Sequence, residues 1–307
     1  MNTFKKWEKL GLLYCPPVNG RHPKLITHAA NPLPIHLEKD VFRIFFSGRD
    51  EKNRSSVSAV DIDIVSREVI KDHNQPFFQH GDNDCFYADG VSIGNCYEVD
   101  GITYMLFMGW YIPKRGHWRG SIGRLVVKSD FSLVIDGYLP FIDINDKDPI
   151  SLSYPWVVDH LNGTYDMWYG STKTWDAGNG EMLHVINFAS SMDGHHWKRK
   201  GTAIPYEIGK AQAFSRPTVI KHANGKYEMW FSYRDGSGQT YRIGHAFSIN
   251  GVKWELALES VGIDISRSGW DSEMIEYPFV FKHKGILYML YNGNGYGKSG
   301  IGLAKRE

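Results

Sequence analysis

The chain has 307 residues, 42% hydrophobic and 14% aromatic, enough apolar material for one large domain or two smaller ones. Lys and Arg number 35 against 34 Asp and Glu, so no basic face of the kind that binds nucleic acid is expected. No stretch approaches the roughly 20 apolar residues of a membrane helix, which excludes membrane insertion by helices.

The N-terminal segment MNTFKKWEKLGLLY is basic but lacks the long apolar run and cleavage site of a signal peptide. Three cysteines, Cys15, Cys85 and Cys96, are too few and too scattered for a disulfide framework or a zinc site. Reduced thiols and a cytoplasmic location are the expectation.

Along the chain one aromatic strand recurs. Its copies are Phe42-Arg-Ile-Phe-Phe-Ser-Gly48, Tyr104-Met-Leu-Phe-Met-Gly-Trp110, Tyr165-Asp-Met-Trp-Tyr-Gly-Ser171, Tyr227-Glu-Met-Trp-Phe-Ser-Tyr233 and Tyr288-Met-Leu-Tyr-Asn-Gly-Asn294. Successive copies start 62, 61, 62 and 61 residues apart. A fixed period of this length marks a repeat architecture.

The flanks repeat as well. Tyr154-Pro155-Trp-Val157, Arg216-Pro217-Thr-Val219 and Tyr277-Pro278-Phe-Val280 precede three of the strands. Between the paired strands lie Asn162-Gly163, Asn224-Gly225 and Lys284-Gly285, and Asn-Gly is a strong signal for a tight hairpin with both turn residues at positive φ. A third strand follows at Val185–Ala189, Ile243–Ala246 and Ile301–Ala304, and a fourth at Trp197-Lys-Arg and Trp254-Glu-Leu256.

Four antiparallel strands in about 60 residues, repeated radially, predict an all-β, five-bladed β-propeller forming a single domain over 1–307. Blades are expected at about 25–75, 85–140, 150–205, 212–260 and 273–307. The last lacks a fourth strand, and Trp7-Glu8-Lys9-Leu10-Gly11 resembles the missing one. Residues 1–14 are therefore predicted to complete blade five and close the ring.

In such a ring the inner strands begin around one central pocket, the default binding site. Residues at those starts and in the adjoining loops supply the candidates. Asp89, Glu273 and His28 are expected to carry proton transfer. Asn31, Arg49, Asp50, Arg216, Arg234, Asp271, Glu276, Tyr277, Asn292 and His184 are expected to bind substrate through charge and hydrogen bonds. Trp110 and Trp175 are expected to stack on a sugar face. Arg49 and Arg216 suit an anionic group held by bidentate contact.

No metal or cofactor is expected. His195-His196 lie in the Asp193-Gly194 turn, and Asn292-Gly-Asn-Gly-Tyr-Gly297 reads as a turn, since it does not open a helix as a dinucleotide loop does.

The five-fold period, the Pro-x-Val inner strands, the Gly-x-Tyr-x-Met-Trp strands and Ser191-Met-Asp-Gly-His-His-Trp197 together resemble the five-bladed propeller superfamily of glycoside hydrolases. That group includes families 43, 32, 62 and 68 and the related mannoside phosphorylases. Thr27-His-Ala-Ala-Asn-Pro32, Phe46-Ser-Gly-Arg-Asp50, Gly269-Trp-Asp-Ser-Glu-Met274 and Tyr291-Asn-Gly-Asn-Gly-Tyr-Gly297 are similar to a bacterial subgroup of glycosyl hydrolases found with surface-polysaccharide genes. The resemblance implies an Asp base or nucleophile on blade one, a tuning Asp on blade two and a Glu acid on blade three. Asp89 matches the second. Asn31 stands at the first position, and Ser153 begins blade three; acids gather instead on blade five, as Asp271, Glu273 and Glu276.

The function expected is a glycoside hydrolase-like enzyme acting through paired carboxylates on an anionic glycoside or sugar nucleotide. The alternatives are a non-catalytic carbohydrate-binding propeller and a transferase- or lyase-type enzyme of polysaccharide synthesis.

Overall fold

Short runs rich in aromatic and β-branched residues, bounded by Gly, Asn and Asp, recur through most of the chain, and such runs build strands. A computed structural model describes residues 6–307. Among them are twenty strands, one short 3-10 turn (Leu258–Ser260) and no α-helix. No helix is long and apolar enough to cross a membrane. The first five residues of the predicted closing segment lie outside the described residues.

Three sheets hold four strands each. One runs β10 (Leu152–Asp159), β11 (Tyr165–Thr174), β12 (Leu183–Ser191) and β13 (Lys198–Thr202). The next runs β14 (Ser215–Lys221), β15 (Tyr227–Tyr233), β16 (Arg242–Ser248) and β17 (Glu255–Leu256). The third joins β18 (Glu276–His283), β19 (Ile286–Asn292) and β20 (Ile301–Arg306) to β1 (Glu8–Tyr14) from the other end of the chain.

An eight-stranded sheet holds β2 (Thr27–Glu38), β3 (Val41–Arg49), β4 (Ser55–Asp63), β5 (Val69–Phe78), β6 (Gly90–Val99), β7 (Ile102–Tyr111), β8 (Arg119–Val127) and β9 (Leu133–Ile135). A single parallel pair, Ser55 with Gly90, links its two halves, β2 to β5 and β6 to β9. Gly90 is required there: a Cβ would lie 2.2 Å from Ser55 Oγ and 2.4 Å from the Trp110 ring.

First strands touch in order: β2 with β6, β6 with β10, β10 with β14, β14 with β18, and β18 with β2. Hydrogen bonds stitch these contacts, as in Asn95 Nδ2 to the Val157 carbonyl at 2.8 Å and Thr218 Oγ1 to the Pro278 carbonyl at 2.7 Å. Between β18 and β2 the His36 and His283 rings lie 5.5 Å apart, and Phe42 of β3 lies 5.2 Å from Phe281. The core lies between sheets, built from the repeated strands: Phe45, Phe107, Trp168, Trp230 and Tyr291 are all buried.

The same irregularity interrupts every first strand. Pairing with the second strand skips Asn31-Pro32, Gly94-Asn95, Tyr154-Pro155, Arg216-Pro217 and Tyr277-Pro278. Pro cannot donate to a ladder, so it tolerates such a bulge. Its predecessor takes up the bend: Asn31, Tyr154, Arg216 and Tyr277 have φ of 56°, 32°, 47° and 52°. Left-handed backbone at four bulky, non-glycine residues costs on the order of 1–3 kcal/mol each and is retained mostly where function requires it.

The tight-turn expectation holds at Lys284-Gly285, where both residues have positive φ. It fails at the two Asn-Gly pairs. There only Gly163 and Gly225 have positive φ, and the loops are longer. The Asn162 side chain instead accepts from the Thr164 amide at 3.1 Å, an Asx turn inside a loop closed by the His160 amide and the Thr164 carbonyl.

Candidate active site

First strands β6, β10, β14 and β18 place Ser92, Ser153, Ser215 and Tyr277 around a common cavity of about 360 Å³. Arg49 reaches it from the end of β3, Trp110 from β7, Ser153 and His184 from β10 and β12, Arg234 from beyond β15, and Tyr277 from β18. Grooves of about 590 and 570 Å³ lie elsewhere, one beside Tyr233, Arg242 and Asp264, the other beside Tyr227, Phe247 and Arg306. Their walls come only from neighbouring parts of the fold, whereas all the first-strand sets supply the central cavity.

Two guanidinium groups face this space. Arg234 Nη2 donates to Glu181 Oε1 at 2.7 Å, its charge lies 4.7 Å from the Tyr241 ring centroid, and its Nε has no partner. The Arg49 side chain makes no hydrogen bond or ion pair among the described residues. Trp110, Trp118, Tyr154, Tyr241 and Tyr296 add aromatic surface.

Glu276, the residue before Tyr277, is fully buried, and neither carboxyl oxygen has a hydrogen-bond partner. Burial pushes its carboxyl well above the usual carboxylate range, against the pull of Arg234 and Arg49. Burial thus favours the protonated, donating form of this group, and the two cations oppose it.

Two histidines are kept neutral. Burial, reinforced by Arg49 and Lys298, lowers His28 to about 4. Burial with Lys173 and Arg234 nearby lowers His184 to about 3. His184 is clamped between Ser153 Oγ at 2.7 Å and Thr172 Oγ1 at 2.8 Å. Gly170 leaves room for this pair, since a Cβ would lie 2.0 Å from Ser153 Oγ.

These shifts set a pH dependence of stability. An unfolded histidine titrates near 6.5, so the contribution of both groups is present above that pH and is lost as pH falls toward 4. Urea denaturation should therefore give a lower unfolding free energy at pH 5 than at pH 7, and His184→Gln should reduce the difference. Equal stability of the wild type at the two pH values would contradict it.

The other predicted residues fall into different places. Asp89 Oδ2 accepts from the Ile112 amide at 2.6 Å; Ile112 lines the cavity, so this carboxylate stands behind the rim. Glu273 is exposed, and only its backbone is engaged, by Asn294, Thr240 and Arg242. It is not brought to Asp89 or to the cavity, because the chain turns inward only at Met274.

Asp271 is spent in the fold, paired with Lys9 at 2.7 Å and bonded by the Tyr291 hydroxyl. Asp50 holds Arg54 and the amide of Lys52 in its own turn. Asn292 ties β19 to β2, donating to Ala29 and Gly300 carbonyls and accepting from the Asn31 amide. Trp175 stacks on His117 at 4.6 Å and meets Trp118 edge-on, leaving Trp118 as the ring at the cavity.

Arg216 is buried beneath the cavity and does not line it. Sequence reasoning did not single out Trp118, Tyr241 or the Ser153–His184 contact. Tyr154 had a signal, since it occupies the same pre-proline position as Arg216 and Tyr277. Among the described residues no cluster of three or more His, Cys, Asp or Glu side chains is arranged to hold a metal.

No family model matches the chain. Two Mycobacterium tuberculosis proteins, Uncharacterized protein MT1551 and Uncharacterized protein Rv1502, are each 39% identical over 303 residues, covering 98% of this chain and 99% of theirs. Among solved structures, one described as a glycoside hydrolase superposes with a TM-score of 0.75 at 16% identity, covering 98% of this chain and 92% of that one. A second comes from work describing mannoside phosphorylase-family (GH130) hydrolases that target β-1,2 mannosidic linkages in Candida mannan. It superposes at 0.73 with 12% identity, covering 99% and 94%. The fold is that of the glycosidase-like β-propellers.

Proposed function

We propose that this chain, which belongs to the family of the Mycobacterium tuberculosis proteins MT1551 and Rv1502, is an enzyme acting on an anionic glycoside in its central cavity. One observation carries the reading: two arginines with unused donors flank a buried carboxyl that has no partner. Arg49 and Arg234 hold a carboxylate or phosphate of the substrate, and Trp110 and Trp118 lie against sugar faces.

Glu276 donates its proton to the departing oxygen, which supplies the partner its own oxygens lack. An anionic group on the arginines weakens their pull on Glu276 and keeps it protonated until it acts. Asp89 is the second carboxylate available near the rim. Neighbouring structures described as glycoside hydrolases support carbohydrate chemistry for this fold. A sugar nucleotide meets the same chemical requirements.

In this reading the whole chain is one ring of five four-stranded blades. The eight-stranded sheet counts as two of them, and β1 takes the place of the fourth strand in the last. Contact between β18 and β2 and pairing of β1 with β20 support the closure.

A panel of neutral, uronic and phosphorylated oligosaccharides and sugar nucleotides tests the proposal, with water and inorganic phosphate as alternative acceptors. Arg234→Gln should weaken binding of an anionic glycoside by about 10- to 100-fold and leave its neutral counterpart unchanged. Equal loss for both would remove the anionic-substrate claim.

A second reading, a binding propeller without turnover, draws on the exposed Glu273, the tethered Asp89 and Glu276, which is buried beside Tyr277 and not part of the cavity lining. Tight binding across the panel with no product under either acceptor would select it.

A further inference from the structure

Beneath the cavity, where the bulges of β2, β10, β14 and β18 meet, the molecule buries a cation with no counter-charge. The Arg216 side chain is 1% exposed. Its Nη2 donates to the Pro32 carbonyl at 2.7 Å, while Nε and Nη1 are buried with no partner among the described residues. No acid lies within ion-pair distance of it. Its polar neighbours are instead the neutral hydroxyls of Tyr154 and Tyr277, whose rings stand 5.4 Å apart and line the cavity above. Phe279 lies 5.8 Å from the guanidinium carbon.

We propose that this axial position is an anion site, occupied by a chloride-sized inorganic anion held on Nε and Nη1 of Arg216. A guanidinium cannot shed its charge at any pH a protein survives. Leaving such a charge dry and unpaired costs several kcal/mol, and leaving two donors unmade adds to the penalty. Water could satisfy the donors but not the charge. An anion satisfies both, and the surroundings suit it, because tyrosine hydroxyls can donate and no carboxylate is in contact to repel it. The left-handed backbone at Arg216, Tyr154 and Tyr277 aims these groups inward at some cost in strain, which fits a built site better than a packing accident.

The anion is distinct from the substrate's own charge. Arg49 and Arg234 line the cavity, whereas Arg216 is screened from it by the two tyrosines. The inference therefore stands or falls without any glycoside.

Crystals grown in sodium bromide should show an anomalous peak about 3.2 Å from Nε or Nη1 of Arg216. In solution, replacing sodium gluconate with sodium bromide at constant ionic strength should raise the melting temperature. The rise should be about 4 °C once bromide exceeds its dissociation constant a hundredfold. Arg216→Met should abolish the rise.

Should that variant fail to fold, the wild-type peak and bromide titration still decide the matter. A water in place of the peak, a flat titration, or a rise that survives in Arg216→Met would each overturn the proposal.

Discussion

Glu276→Gln should lower turnover of an anionic glycoside by about 100- to 10,000-fold, the usual worth of a positioned proton donor. Glutamine keeps the shape and a hydrogen-bond donor but cannot release a proton. Burial favours the protonated carboxyl, which glutamine matches in shape and polarity, so stability should change by less than about 1 kcal/mol and substrate binding should be nearly unchanged. Measured kcat, KM and urea midpoints separate these effects. Asp89→Asn should also reduce kcat if the rim carboxylate takes the second role, and full activity in both variants would sink the carboxylate mechanism. Glu273→Gln serves as the control, because its exposed side chain reaches neither group.

Trp7→Ala should cost about 3–5 kcal/mol, a typical value for truncating a large buried aromatic. Trp7 is 5% exposed and meets Trp230 edge-on at 5.7 Å. The Arg306 guanidinium lies against both rings, at 5.1 and 5.0 Å. Its backbone amide donates to the Gly262 carbonyl, and two residues on, Lys9 pairs with the buried Asp271.

Removing residues 1–14 should be more damaging than the point variant. It would leave β20 as an open edge, free to pair with other chains, and would strand Asp271 without its cation. Soluble, monodisperse protein with an unchanged denaturation curve after that truncation would rule out a structural role for β1.

Much of the strand framework was legible because each element carries its own local signal. The aromatic copies at Phe42, Tyr104, Tyr165, Tyr227 and Tyr288 became β3, β7, β11, β15 and β19. Trp7-Glu-Lys-Leu-Gly11 pairs where the repeat lacked a strand. Asn162-Gly163 misled because an Asn side chain can cap a loop as readily as its backbone can enter a tight turn.

The candidate site was only partly legible. Arg49, Arg234, His184, Tyr277 and Trp110 meet at the cavity, and all stand in or beside strands of the repeat. Glu273 and Glu276 looked equivalent in sequence, three residues apart at the start of one strand. Burial separates them, one facing solvent and the other sealed between Arg49 and Arg234.

What the sequence by itself determined was the period of about 61 residues, the four strands per repeat and the N-terminal strand that completes the last. These follow from side-chain alternation and turn chemistry, which act between near neighbours. What only the tertiary structure decided was which acid is buried without a partner, which arginine lines the cavity and which lies beneath it. Those outcomes depend on side chains brought together from positions about 40 or more residues apart, where desolvation and pairing are set by the assembled sheets and not by the residue's own surroundings in the chain.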